Sequence, residues 1–302
     1  MAPQAEKRKE ERNEKMKYIF QSFASGSSGN CYYLGTSREG ILIDAGIGIR
    51  TIKKNLKELG LTFDSIRAVL VTHDHADHIK AVPPLGNKYF IPIYTTAAVF
   101  GGINENRCIK EKLSSANVHY IEKEVPFSIH DFRIVAFPVP HDATDSVGYR
   151  IDTPAGTFCF LTDMGCITSL SAGYIAQATH LVIEANYDEE MLAMGSYPAY
   201  LKERIASHTG HMSNRCTARH LADLIGTRIY APDRADEVRL EHIWLCHLSQ
   251  ENNHPDLALK TFEAIFHENG VTLGRDVHLT VLKRTAPSEP YEIEIPVPDS
   301  TE

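Results

Sequence analysis

Short apolar runs broken by turn residues fill the first two thirds of the chain. They predict strands over residues 18–24, 31–34, 41–43, 66–71, 91–94, 118–121, 132–137, 147–151, 158–161 and 181–183. Residues 49–59 instead space their apolar side chains three and four apart, with Lys53, Lys54 and Lys57 outward, which predicts an amphipathic helix. The same spacing returns at 198–205, 218–225 and 257–266, with strands expected at 243–246 and 277–282. Strands and helices are mixed throughout, without a fixed repeat or a long linker, so the pattern predicts one α+β domain of packed sheets flanked by helices.

The ends differ from this body. Residues 1–16 are nearly all polar and of mixed sign, so a disordered or helical tail is expected, with Met16 as an alternative start. The domain is expected over 17–284. The Pro-rich, acidic segment 285–302 is expected to lie over the surface as a second tail.

Composition narrows the classes. A formal net charge of -8 over 302 residues argues against a protein that coats nucleic acid by bulk attraction, although it leaves a local basic patch open. No run approaches the roughly 20 apolar residues of a membrane span, and the N-terminus has no apolar signal core, so no membrane partner and a cytoplasmic location are expected. The six cysteines (Cys31, Cys108, Cys159, Cys166, Cys216, Cys246) form no C-x-x-C pair and read as reduced, mostly buried thiols.

The apolar run Val69-Leu70-Val71 stops at Thr72-His73-Asp74-His75-Ala76-Asp77-His78, where one short segment carries three imidazoles and two carboxylates. Such groups need partners if buried, and a divalent cation supplies them, because neutral imidazole and carboxylate both ligate zinc, manganese or iron. In extended chain His73 and His75 point the same way and can share one ion. Asp77 and His78, entering the following helix or turn, can serve a second.

Thr-His-x-His-x-Asp-His resembles the signature of the metallo-β-lactamase superfamily. That resemblance implies a four-layer αββα sandwich with a metal site at one sheet edge. It also implies a later His, an Asp and a last His at strand ends, and the chain offers His141, Asp163 and His247 in that order. Carried over, it places His73, His75 and His141 on one ion, Asp77, His78 and His247 on another, and Asp163 between them. Asp44, in Ile41-Leu42-Ile43-Asp44, matches the early acidic residue that supports the ligands from behind. The cofactors implied are two divalent ions, zinc first, with manganese or iron accepted by the same donors. Two such ions, two carboxylates and one bridging hydroxide leave a single positive charge, which suits a phosphodiester, and the hydroxide is then the expected nucleophile at phosphorus.

Asp163 stands where secreted lactamases commonly use a Cys, which turns the expectation from antibiotics towards phosphodiesters. Gly210-His211-Met212-Ser213-Asn214, opening a helix, resembles the position of a Gly-His-Ser-Thr motif in tRNA 3′-processing relatives, where the His helps the leaving group or phosphate. His211 is therefore a candidate proton donor, joining Asp77 and Asp163 as a catalytic candidate, with a simple capping role for Ser213 or Asn214 as the alternative. The turn Ser25-Gly26-Ser27-Ser28-Gly29-Asn30 can line a phosphate pocket through hydroxyls and backbone N–H groups. Together with Glu184-Ala185-Asn186 and His247-Leu248-Ser249-Gln250-Glu251-Asn252-Asn253, it resembles the bacterial YycJ/WalJ family, which is linked to DNA exonuclease activity. Ser25, Ser27, Ser28, Asn30, Asn186, Ser249 and Asn252 are accordingly the candidates for phosphate binding or ligand support. One departure is Asn186-Tyr187-Asp188, where an Asn-His-Asp triplet is expected in that family.

The reading is thus a binuclear metal-dependent phosphodiester hydrolase, a nuclease acting on DNA in preference to RNA. The alternatives are a phosphodiesterase for a cyclic nucleotide or cyclic sugar phosphate and, lower, a metal-binding regulatory module without turnover.

Overall fold

The computed structural model describes residues 16–229 and 239–295, so the expected N-terminal tail, up to residue 15, lies outside the described residues. The strands run in chain order as β1 (Met16–Ala24), β2 (Cys31–Thr36), β3 (Gly40–Ile43), β4 (Ile66–Leu70), β5 (Ile93–Thr95), β6 (Val118–Tyr120) and β7 (Phe127–Ile129). They continue as β8 (Phe132–Pro138), β9 (Val147–Thr153), β10 (Gly156–Leu161), β11 (His180–Glu184), β12 (His242–Cys246), β13 (His278–Val281) and β14 (Tyr291–Ile295). The helices are α1 (Ile49–Glu58), α2 (Ala76–Ile79), α3 (Val82–Lys88), α4 (Ala97–Glu105), α5 (Ser169–Ile175), α6 (Glu189–Met194), α7 (Ala199–Ile205), α8 (Asn214–Ile229) and α9 (Pro255–Glu268).

The strands form two seven-stranded sheets, in the orders β14-β1-β2-β3-β4-β5-β6 and β13-β12-β11-β10-β9-β8-β7. Phe20, Tyr32, Phe158, Phe160 and Trp244 are buried between them in one apolar layer. A second cluster joins the outer face of the first sheet, through Leu42 and Val69, to Ile52 and Leu56 of α1 and Val99 of α4. A third joins Leu181 and Ile243 to Leu221 of α8 and Phe262 of α9. Each sheet is therefore apolar on both faces, and the layers follow the expected α, β, β, α order.

Two segments depart from the expectation. Tyr291–Ile295 does not lie over the surface as a tail: it pairs antiparallel with β1 from Met16↔Ile295 to Phe20↔Tyr291. Its alternation puts Tyr291, Ile293 and Ile295 against the core while Glu292 faces Lys17 at 2.7 Å. The first sheet thus takes in Met16 and a strand beyond residue 284. The second departure is the region 76–105, where the expected strand at 91–94 is found as β5 but α3 and α4 on either side of it are not predicted, because Gly and Pro interrupt the helical spacing.

In each sheet one half is parallel: β3 to β6 in the first, β10 to β13 in the second. Parallel strands end at one edge, and the chain emerging there carries the polar residues. Asp44 follows β3, His73 follows β4, Asp163 follows β10, Glu184 ends β11 and His247 follows β12. The bridge between His73 and Ser146 links the two sheets at that edge.

Candidate metal centre

Each imidazole in the cluster is held from behind by one nitrogen and turns the other inward, although His78 Nε2 there also meets the Asn30 amide at 2.9 Å and Asp163 at 3.1 Å. Thr72 Oγ1 donates to Asp44 Oδ2 at 2.8 Å, so its remaining lone pairs face His73 Nδ1 at 3.0 Å and leave His73 Nε2 pointing inward. His141 Nδ1 donates to the Gly210 carbonyl at 3.1 Å, His78 Nδ1 to Asp44 Oδ2 at 2.7 Å, and His247 Nδ1 to Glu184 Oε1 at 2.9 Å. His75 is the reverse case: Nε2 meets the Asp142 carbonyl at 3.2 Å and Nδ1 faces the cluster. A carbonyl or carboxylate behind an imidazole fixes its tautomer and raises the basicity of its free nitrogen, which is the arrangement metal-binding histidines use.

Ligand atoms of His73, His75 and His141 lie within 4.8 Å of one another, and so do those of Asp77, His78 and His247. Asp163 adjoins both groups: its carboxylate is 3.1 Å from His78 Nε2, 3.2 Å from His247 Nδ1 and 3.8 Å from His141 Nε2. Among the buried polar atoms, His73 Nε2 has no hydrogen-bond partner, and Asp163 Oδ2 makes no hydrogen bond beyond its 3.1 Å contact with His78 Nε2. An unpaired buried imidazole nitrogen beside a buried carboxylate, in a cluster that opens to solvent at His75 and Asp77, fits a divalent cation.

The electrostatics point the same way. Burial pushes His73 well below the ordinary imidazole range, aided by His78, so it stays neutral. Burial also opposes charge on His78, yet Asp163, Asp44 and Asp77 outweigh it and hold this proton far above the usual pH. Burial alone would raise Asp163, but His247 and His78 pull it well below the carboxylate range. The carboxylate side of the cluster demands positive charge, and a divalent ion is the natural supplier.

Two residues hold strained backbone here. Asp44 has φ 57° and His247 φ 52°, in the left-handed region that side chains rarely enter. Each turns sharply out of its strand to aim a side chain into the cluster. Gly46 lies so close to the Asp77 carbonyl that a Cβ there would collide with it, and the backbone hydrogen bonds Asn30 N to Asp77 O and Ala45 N to His78 O, both 2.8 Å, lock this approach.

Glu184, at the end of β11, belongs to the cluster although the sequence pattern alone does not single it out. It is fully buried, and four donors reach it: His211 Nδ1 at 2.7 Å and His247 Nδ1 at 2.9 Å on Oε1, and the backbone N–H groups of Met164 at 3.1 Å and Met212 at 3.2 Å on Oε2. Burial works against a proton on His211, but the Glu184 carboxylate outweighs it and raises the imidazole above its ordinary value. The signal was present in Leu181-Val182-Ile183-Glu184: a lone carboxylate closing an apolar strand, the same pattern as Asp44.

The glycine-serine turn, expected to bind phosphate or to support the ligands, meets the cluster from behind. Asn30 is sealed, with its amide 3.1 Å from the Gly26 carbonyl and 2.9 Å from His78 Nε2, so it braces the ligand loop and lines no open pocket. Ser25 is likewise buried, paired with Tyr32 Oη at 2.8 Å and accepting from His247 N at 3.0 Å. Ser27 and Ser28 are exposed. Asn186 donates to the His247 carbonyl at 2.8 Å, while Ser249 Oγ accepts from Asn252 N at 3.2 Å within the buried loop that follows His247. These contacts shape the loops behind the ligands. Tyr187, at the departed triplet, bridges to Ser213 and helps place the segment that carries His211.

Residues 39–231 match the model of the beta-lactamase superfamily domain. The chain is 32% identical over 274 residues to the exodeoxyribonuclease YycJ of Bacillus anthracis, covering 86% of this chain and 94% of that protein. It is 36% identical over 244 residues to the exodeoxyribonuclease WalJ of Streptococcus pneumoniae, covering 81% and 86%. Among solved structures, the metallo-beta-lactamase fold protein YhfI of Bacillus subtilis superimposes with a TM-score of 0.64 at 16% identity, over 92% of this chain and all of that one, a likeness of fold.

Proposed function

This chain belongs to the metallo-β-lactamase superfamily and within it to the family of YycJ and WalJ, and from that premise we propose that it is a metal-dependent phosphodiesterase acting as a nuclease on DNA. The observation that carries the reading is the cluster of five imidazoles and two carboxylates in which His73 Nε2 has no hydrogen-bond partner and Asp163 Oδ2 makes no hydrogen bond beyond its 3.1 Å contact with His78. Two divalent ions are the proposed occupants, one held by His73, His75 and His141, the other by Asp77, His78 and His247, with Asp163 shared. Zinc is the first choice, and manganese or iron suits the same donors. Bound there, such ions lower the pKa of water and neutralise charge on a phosphodiester.

The chain's own groups then have definite tasks. Asp44, Thr72 and Glu184 fix the tautomers of His78, His73 and His247. His211 has its Nδ1 proton on Glu184 and its side chain partly open, at 18% exposure, so its Nε2 can hold a proton for a departing oxygen. Glu184 stabilises the charged imidazole that this task requires.

The test is incubation of purified protein with zinc or manganese and labelled single- and double-stranded DNA, RNA and cyclic nucleotides. Shortening of DNA from its ends is the expected result. Turnover confined to the cyclic nucleotides would replace the nuclease reading with the small-molecule one.

A further inference from the structure

α8 and α9 lie side by side, and a cleft of about 490 Å³ between them is lined by Arg215, Arg219, Lys260, Thr261, Glu268 and Asn269, together with Ala264 and Ile265. Arg215 and Arg219 stand one helical turn apart on α8 and so share a face. In a chain of net charge -8, three cations against one carboxylate in one concavity invert the local sign. Arg215 leans towards Glu189 at 3.6 Å. Arg219 and Lys260 are exposed, and among the described residues neither has an ion-pair partner.

The cleft is anchored to the metal centre. α8 starts directly beyond His211, and Asn214 at its head exchanges two amide hydrogen bonds, both 2.9 Å, with Asn253 ahead of α9. Asn253 also donates to the carbonyls of Ala185 at 2.9 Å and Asn186 at 3.0 Å, the residues after Glu184. Both helices therefore begin at the cluster and lead outward from it, and Arg219 lies about 7.5 Å of helix rise beyond Asn214.

We propose that the α8–α9 cleft binds the phosphates of the DNA strand a few nucleotides away from the linkage at the metal centre. The proposal rests on the nuclease reading for the identity of the strand. It accounts for how an acidic protein holds a polyanion: attraction is confined to one track, while the rest of the surface repels strands that approach elsewhere.

Binding and cleavage separate the two claims. In chelator, the full-length protein is titrated with a labelled single-stranded oligonucleotide at several salt concentrations. The Arg219→Glu, Lys260→Glu double variant is expected to bind at least roughly tenfold more weakly, with the salt slope reduced by about 1.4 for two lost phosphate contacts. Lys53→Glu with Lys57→Glu on α1, an equal charge change at exposed positions, is expected to leave binding unchanged. Arg219→Lys with Lys260 intact is expected to bind as wild type. With metal restored, the cleft variant should hydrolyse a small activated phosphodiester at the wild-type rate. Undiminished binding by the cleft variant, equal loss in the α1 control, or no binding by the wild type would each overturn the proposal. Absence of DNA cleavage by a wild type whose binding follows the expected pattern would instead remove the nuclease reading and leave the cleft standing.

Discussion

His78 Nδ1 lies 2.7 Å from Asp44 Oδ2, and both side chains are sealed from water. The same carboxylate accepts from Thr72 through N and Oγ1, so one residue after β3 sets the orientation of His78 and, through Thr72, of His73. Asp44→Asn keeps the shape but cannot accept at both oxygens. Metal affinity is expected to fall by about 10- to 100-fold, read by competition with a chromogenic chelator. Unaltered affinity would remove Asp44 from the support of the cluster.

Asp163 stands between the two groups of donors, and Asp163→Asn is expected to lower turnover of an activated phosphodiester by roughly 100-fold or more together with bound metal. Metal analysis beside the rate assay distinguishes loss of an ion from misfolding, since circular dichroism should be unchanged. Full activity in this variant would defeat the proposed sharing of Asp163.

Glu184→Gln is isosteric, but an amide cannot accept from both His211 and His247 with the strength of a carboxylate. The expected outcome is a fall in kcat of about 10- to 100-fold. If His211 donates a proton, the loss should be largest for substrates with a poor leaving group and small for a nitrophenolate. An equal loss for both would restrict Glu184 to holding His247.

Gly46→Ala places a methyl group into the Asp77 carbonyl. Overpacking at such a contact costs about 2 kcal/mol, so the melting temperature should drop and metal should be lost at a lower chelator concentration. A variant with wild-type melting and metal content would show that this loop relaxes freely.

Far from the cluster, burial lowers His180 to about 4, and burial with His180 and His278 lowers His242 to about 4. An unfolded imidazole titrates near 6.5, so between about 6.5 and 4 the unfolded chain takes up protons that the folded one refuses. Stability is therefore complete above that window, falls as the pH drops through it and levels off below it. Urea titrations at pH 7 and 5 should differ by about 2 kcal/mol per histidine, and His242→Phe should remove one share of that slope. A slope unaffected by the substitution would assign the acid sensitivity elsewhere.

Most residues of the cluster were legible in the sequence because they share one physical mark: a charged or imidazole side chain ending an apolar strand. His73, Asp163 and His247 are found this way, and Glu184 carries the mark as clearly. It stayed unselected because a single glutamate has no neighbouring donors in sequence, and its four partners assemble only when β10, β11, β12 and the loop before α8 meet. The glycine-serine turn is ambiguous in the sequence for the opposite reason. Its composition permits an anion pocket, but tertiary packing spends Ser25 and Asn30 on His247 and on the Asp77–His78 loop. β14 was hidden because its alternation is brief and flanked by proline, and only the unpaired edge of β1 reveals what it is for.

That edge strand also orders the birth of the molecule. Lys17 and its partner Glu292 are separated by 275 positions, so β1 leaves the ribosome with one side unpaired and stays so until nearly the whole described chain has been synthesised. The other strands of both sheets can pair with partners that are nearer in sequence, and the first sheet gains its last strand only when residues 291–295 return to β1.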